Sequence, residues 1–276
     1  MAGTFPARRP MSLHDLSPLL IYLGWGWLLA ATVMLAMWIV QVARRDATLV
    51  DIAWAANLGV LAALYAWLSP ELVERRILIA VLVGVWALRL AGYLLVNRAI
   101  GKPEDGRYKT LRESWGAKAN RNFLVFFQAQ ALLDVVLSLP FALVCLNPAR
   151  ELHPLEWAGA ALWLVAICGE SLADWQLAQF KRDPRARGRT CRLGLWNHSR
   201  HPNYFFEWLH WVAYALIALA APHGWLALSS PAIMLYLLFK VTGIPATEAH
   251  AVKSRGQDYI DYQRTTSAFV PWFKKG

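Results

Sequence analysis

Charge is scarce in this chain. Only 17% of its 276 residues are Asp, Glu, Lys or Arg, whereas 57% are hydrophobic and 15 are Trp. Soluble domains carry roughly a quarter of their residues as charges, so the composition excludes an ordinary water-soluble enzyme and points to a chain solvated by lipid. Acidic residues are scarcer than basic ones, 18 against 28, which leaves a net charge of +10. In a soluble protein that surplus would suggest nucleic acid; among apolar runs it marks loops held on the cytoplasmic side, and no nucleic-acid partner is expected. The three cysteines are odd in number and scattered, Cys145 and Cys168 in apolar runs and Cys191 in a basic loop, which argues against a disulfide framework or a zinc site. Neither G-x-G-x-x-G nor G-x-x-x-x-G-K-[ST] occurs, so no Rossmann or P-loop nucleotide site is supported. His198 and His201 stand three apart, but HSRH lacks a nearby third ligand and the glutamate of a zinc helix, so no metal is expected. Repeats, coiled-coil heptads, Gly/Ser linkers and a cleavable signal are also missing; residues 1–18 read as a retained polar tail.

What is present is a series of apolar runs. They read as seven transmembrane helices at about 19–42, 49–68, 77–96, 122–146, 155–177, 203–221 and 225–243, an all-α polytopic fold in a single domain over 19–276. Seven spans put the termini on opposite sides. Arg44, Arg45, the loops 98–121 and 181–200 and the C-terminal tail gather twenty-one cations on one face, against five on the other (Arg8, Arg9, Arg75, Arg76 and Arg150). The positive-inside rule then places the N-terminus outside and the large loops and the C-terminus in the cytoplasm. Trp25, Trp27, Trp67, Trp157 and Trp225 fit interfacial anchors.

The polar residues cluster where the spans end. In GLWNHSRHPNYFFEWLHWVAY, the residues His198, Ser199, Arg200, His201, Asn203, Tyr204, Glu207 and His210 crowd the mouth of a hydrophobic segment, which makes a functional site the default reading. Pro202 marks a helix start, and the free N–H groups of that first turn beside Arg200 form a natural anion seat. Glu170 and Asp174 lie four apart in ESLADWQLAQFKRD, with Lys181 two turns on; the shared face is either an internal salt-bridge clamp or a grip on a ligand's amide or hydroxyl groups. Arg89 sits inside the third span, where snorkelling and an interior anion partner explain it equally well. Asp51, Asn57 and Asp134 are isolated polar residues in spans two and four, each a candidate for proton donation or substrate orientation, or for a helix–helix hydrogen bond. In GKPEDGRYKTLRESWG, Glu104, Asp105, Arg107 and Tyr108 belong either to a solvated, positive-inside loop or to a functional element.

GLWNHSRHPNYFFEW, DWQLAQFK and RGQDYIDYQRTTSAFVPWF resemble the membrane-embedded steroid 5α-reductase family, in particular its bacterial branch, over about Asp51 to Phe273. The resemblance implies a seven-helix NADPH-dependent reductase of a lipid carbon–carbon double bond, set in a bacterial inner membrane with its cofactor site facing the cytoplasm. The cofactor-binding half would span about 155–276. Asp174, Lys181, Asn203 and Glu207 match family positions that bind the cofactor, Arg89 matches an arginine near the nicotinamide end, and Tyr259 falls in the C-terminal segment that closes the pocket. Arg200, His201 and Tyr204 complete the expected cofactor-binding set. Steroid reductases also carry a Gln-Glu pair in the second span and a tyrosine in the third; here the corresponding region reads VDIAW and the tyrosine position is Trp86, so Asp51 is the candidate catalytic group. RHPxY also resembles the isoprenylcysteine carboxyl methyltransferase family, which implies S-adenosylmethionine instead. A non-enzymatic lipid transporter or scaffold, the third class, predicts no tight nucleotide binding. The expected partners are a lipid or steroid-like substrate and the membrane lipids themselves, and the sequence sets no oligomeric state.

Overall fold

The computed structural model describes residues 13–186, 188–241 and 243–274, with side chains from residue 17 on. The described residues are helical throughout, joined by short turns, without a strand among them. In chain order the helices are α1 (Leu13–Arg44), α2 (Leu49–Leu68), α3 (Val73–Leu94), α4 (Gly106–Trp115), α5 (Ala119–Leu137), α6 (Leu139–Cys145), α7 (Pro154–Arg182), α8 (Pro202–Ala218), α9 (Ser229–Tyr236), α10 (Ile244–Arg255) and α11 (Gln257–Thr265).

Five stretches are long and apolar enough to cross a membrane, and six if the bent pair at Ser138 counts as one span. Seven were expected. The span predicted at 203–221 corresponds to α8, whose 17 residues are shorter than the roughly 20 that a bilayer core asks of a straight helix. The span predicted at 122–146 is α5 and α6, bent by 40° where Ser138 precedes Pro140, since proline has no N–H to continue the ladder. The tail expected over 1–18 is helical from Leu13, with Pro18 inside the helix. Arg8 and Arg9 lie outside the described residues.

The surface is inverted relative to that of a soluble protein. Trp67 is 78% exposed and Leu88 77%, with Val81, Val85, Leu164 and Val165 also facing outward, a surface that only lipid solvates well. Inside, Trp86, Trp211, Phe141 and Tyr214 pack as a continuous aromatic core between α3, α6 and α8. Buried polar side chains pair across helices, as lipid-embedded bundles require: Asn57 donates to Asp134 at 3.0 Å and Trp163 to the Tyr214 hydroxyl at 2.9 Å.

Hydrogen bonds fix which helix ends lie together. At one end Arg75 is fully buried, 2.6 Å from Glu156, and also donates to the carbonyls of Asn147, Ala149 and Glu151. Asn147 in turn donates to the Ala220 carbonyl at 3.3 Å, so the chain leaving α8 reaches this same end. The opposite end joins the end of α1, the starts of α2, α5 and α8, and the ends of α3 and α7, and it carries the cationic loops together with α10 and α11.

Candidate functional site

A cavity of about 790 Å³ opens at the cationic end. Nine of the ten residues singled out in the sequence line it: Asp51, Asp174, Lys181, Arg200, His201, Asn203, Tyr204, Glu207 and Tyr259. Arg89 stands in the wall behind them. The helix start expected at Pro202 is present, and it sets Asn203 and Glu207 on one face of α8, opposite the face of α7 that carries Glu170 and Asp174.

Arg89 bridges the two acids of α7, with 2.8 Å to Glu170 and 2.5 Å to Asp174, and Asn203 donates to the other Asp174 oxygen at 3.4 Å. Of the two readings for Glu170 and Asp174, the clamp is therefore present, although Arg89 and not Lys181 closes it. For Arg89 itself the interior anion partner prevails over snorkelling. Glu207 has no cation against it; its oxygens accept indole N–H groups from Trp86 at 2.9 Å and Trp211 at 3.3 Å. Trp86 thus holds a carboxylate in place.

Arg200 departs from expectation. Instead of standing free beside the first turn of α8, it pairs with Glu248 at 2.6 Å and donates to the carbonyls of Gln263 and Thr266 at 3.0 and 2.7 Å. The cation of the expected anion seat is thereby spent on tying α8 to α10 and α11. His201 stacks on Tyr204 and reaches the same Glu248 oxygen at 3.2 Å. Among the described residues no group of three or more His, Cys, Asp or Glu is placed to hold a metal.

The opposite wall is built from Asp51. It accepts the Tyr108 hydroxyl at 2.5 Å and Arg107 at 2.6 Å, and Arg98 lies 3.5 Å away. The segment around Asp105, open between a solvated loop and a functional element, is folded over the mouth. Asp105 caps α4 by accepting from the Arg107 backbone at 3.0 Å. Burial disfavours its charge, yet the hydrogen bonds from the Arg107 side chain and backbone outweigh that and hold the carboxyl below the usual carboxylate range. Tyr108 and Arg107, named in the sequence without a place in the site, stand at the cavity wall. Their signal was the Asp-Gly-Arg-Tyr start of a helix with an acidic cap, which shows that α4 begins there but not which wall it meets.

Beside the main cavity lies a recess of about 220 Å³ lined by Lys181, Arg189, Arg255 and Cys191, the first, third and fourth of which also line the main cavity. Lys181, Arg189 and Arg255 form no ion pair among the described residues. Tyr259 closes the floor of this region under Arg255, whose guanidinium lies 5.7 Å from its ring centre. Burial, reinforced by Glu248, pushes the Tyr259 phenol up to about 12.

The fold and site define a helical membrane protein with a charged, aromatic-floored cavity at one end. A family model described as a protein of unknown function (DUF1295) matches residues 37–266, and the chain belongs to that family. No curated protein and no solved structure matches it.

Proposed function

We propose that this protein is a membrane-embedded NADPH-dependent reductase acting on a carbon–carbon double bond of a steroid-like or other lipid. One observation carries the reading: a cavity with an apolar, aromatic interior continues into a recess whose three cations have no ion-pair partner among the described residues. Unpaired cations at a site mouth suit the pyrophosphate and 2′-phosphate of NADPH, and an apolar interior suits a lipid. The association of this family with steroid 5α-reductase-like proteins agrees.

In this reading Lys181, Arg189 and Arg255 hold the phosphates. Asp174, Asn203 and Glu207 meet the cofactor's amide and hydroxyl groups, with His201, Tyr204 and Tyr259 packing around it, and Arg89 and Arg200 fix those residues in position. NADPH supplies the hydride when bound. Asp51, held by the Tyr108 hydroxyl, orients Arg98 at the cavity wall, and the guanidinium donates a hydrogen bond to a carbonyl conjugated with the double bond and stabilises the negative charge that develops there. The cavity walls keep bulk water from the reacting carbon.

The orientation that goes with this chemistry has seven crossings, an outer N-terminus and a cytoplasmic C-terminus, in a bacterial inner membrane. It is supported by the reach of α8 to the Arg75 end despite its length, and by the cation asymmetry. Reporters fused before Met1 and after Gly276 test it; both reporting one compartment would refute an odd number of spans.

A methyltransferase using S-adenosylmethionine remains a second reading because Glu170, Asp174 and Glu207 outnumber Arg89, and surplus carboxylates suit a sulfonium cation. Titration of the detergent-purified protein separates the two. The reductase binds NADPH, and binds it more tightly than NADH. Saturable S-adenosylmethionine binding without NADPH binding overturns it.

A further inference from the structure

Amides along α5 tie it to its neighbours, with one exception. Asp134 accepts from Asn57 of α2 at 3.0 Å, and Gln128 donates to the Ala31 carbonyl of α1 at 3.2 Å. Gln130 lies between these two ties, lines the cavity and makes no hydrogen bond among the described residues; its amide stays open to the cavity. Trp54 of α2 lines the cavity as well, and its buried indole N–H has no partner among the described residues. Helices α2 and α5 both start at the cationic end, so they run in one direction, and the Asn57–Asp134 bond sets their register. Trp54 precedes Asn57 by three residues and Gln130 precedes Asp134 by four, so each shares the face of its helix with the bonded pair. At the rise of an α-helix they stand about 4.5 and 6 Å nearer the mouth than that bond, at matching depth on the two sides of the α2–α5 seam. Leu90, Leu94, Leu111, Phe126 and Leu133 furnish this side of the cavity with surface that suits hydrocarbon. A plain hydrocarbon packed there would strip the Gln130 amide of water and leave it without a partner, whereas a ligand oxygen at that depth would meet it. The Gln130 amide and the Trp54 indole carry three N–H bonds against one amide oxygen, so the matching group is a hydroxyl or ketone and not an amine.

We propose that Gln130 selects the lipid: besides the conjugated carbonyl held by Arg98, the substrate carries a hydroxyl or keto oxygen that hydrogen-bonds to the Gln130 amide, one turn inside Asp51. This assignment rests on the reductase reading above and narrows it. Lipids that present only hydrocarbon at this depth, such as a plain acyl or polyprenyl chain, are rejected. The anchor is built on the aromatic frame that also holds Glu207, because the Trp54 ring meets Trp86 edge-on with centres 6.4 Å apart and Trp86 donates to Glu207.

Nuclear magnetic resonance of the full chain in lipid nanodiscs, with isotope-labelled glutamine and tryptophan side chains, tests the anchor. The Gln130 amide signal is the one that Gln130→Met removes, and the Trp54 indole signal is the one that Trp54→Phe removes. The probes are decalin, a bicyclic hydrocarbon, and its alcohol and ketone, decalol and decalone. The alcohol and the ketone each shift the Gln130 signal saturably, and decalin does not. In Gln130→Met, read at the Trp54 indole, both oxygenated probes bind roughly 5-fold more weakly, the loss expected for one hydrogen bond. Decalin shifting the Gln130 signal as strongly, no saturable shift with any probe, or undiminished binding in Gln130→Met overturns the proposal. Should a variant not fold, photolabelling of the wild type with a diazirine-bearing decalol replaces it. Adducts within 126–133 that decalone displaces and decalin does not are then expected, and adducts elsewhere or equal displacement by decalin overturn the anchor. NADPH titration on the same samples keeps the two ideas apart. NADPH binding without the oxygen-dependent shift refutes the anchor alone, and the shift without NADPH binding refutes the reductase reading.

Discussion

Arg89→Met tests the clamp at the centre of the site. The methionine keeps the apolar stem and removes the only cation shared by Glu170 and Asp174, which it contacts at 2.8 and 2.5 Å. The side chains are 19%, 6% and 17% exposed, so the pair is well shielded without being fully sealed. Removing one partner of a buried ion pair costs about 3–5 kcal/mol, because the remaining charge is stranded. Partial exposure of Arg89 and Asp174 places the expectation at the lower end, about 3 kcal/mol, or roughly 150-fold in the folded-to-unfolded ratio. Denaturant titration in mild detergent measures this, and Arg89→Met combined with Glu170→Gln recovers part of the loss, since one stranded acid becomes neutral. A loss below about 0.5 kcal/mol, the size of an ordinary surface substitution, would refute the argument and return Arg89 to the snorkelling role.

Asn203→Ala removes an amide that meets both Asp174 and the cavity, and it weakens NADPH binding by about 1–3 kcal/mol, roughly 5- to 150-fold; an unchanged Kd would detach α8 from the cofactor. Tyr108→Phe removes the 2.5 Å contact on the opposite wall and Asp51→Asn removes the charge that holds Arg98 and Arg107; each leaves NADPH affinity nearly unchanged while slowing turnover of the lipid substrate, and equal loss of binding and turnover would make the group a structural tie. Asp258 ties α11 to the basic loop through the Thr190 N–H at 2.7 Å and Arg192 at 3.0 Å. Burial opposes its charge, but the hydrogen bonds from Thr190 together with Arg192 outweigh it and hold the carboxyl below the usual aspartate range. Because the folded-state value is depressed, the tie is intact above the unfolded value of about 3.9 and is lost as pH falls through the folded one. The protection factor over residues 188–193, exchange relative to the intrinsic rate at each pH, therefore falls at acid pH in the wild type and is already low at every pH in Asp258→Asn; a loop equally protected in both would refute the tie.

The features legible in the sequence are those written within one segment. Apolar runs marked the span at 49–68 at both ends and those beginning at 155 and 225 at their starts, and Pro202 marked the start of α8, because hydrophobic length and proline act locally. The bend at Ser138 was hidden, since an apolar run reads the same whether straight or broken. Side-chain roles were harder to read, because a polar residue is defined by its partner and the partners are remote in sequence. Asp51 meets Tyr108 across 57 positions, and Glu207 meets Trp86 across 121. Arg200 is the clearest case. Beside a proline-led helix it has every mark of an anion ligand, and it loses that role to Glu248, a residue that only the packing of α10 against α8 brings near. The same packing decides which cations remain for a ligand. Counting basic residues by loop gives a side of the membrane, since every cation weighs equally in translocation. Binding depends only on those left unpaired at the site after folding, and among the described residues that line the cavity and its recess these are Lys181, Arg189 and Arg255, where the phosphate argument has to succeed or fail.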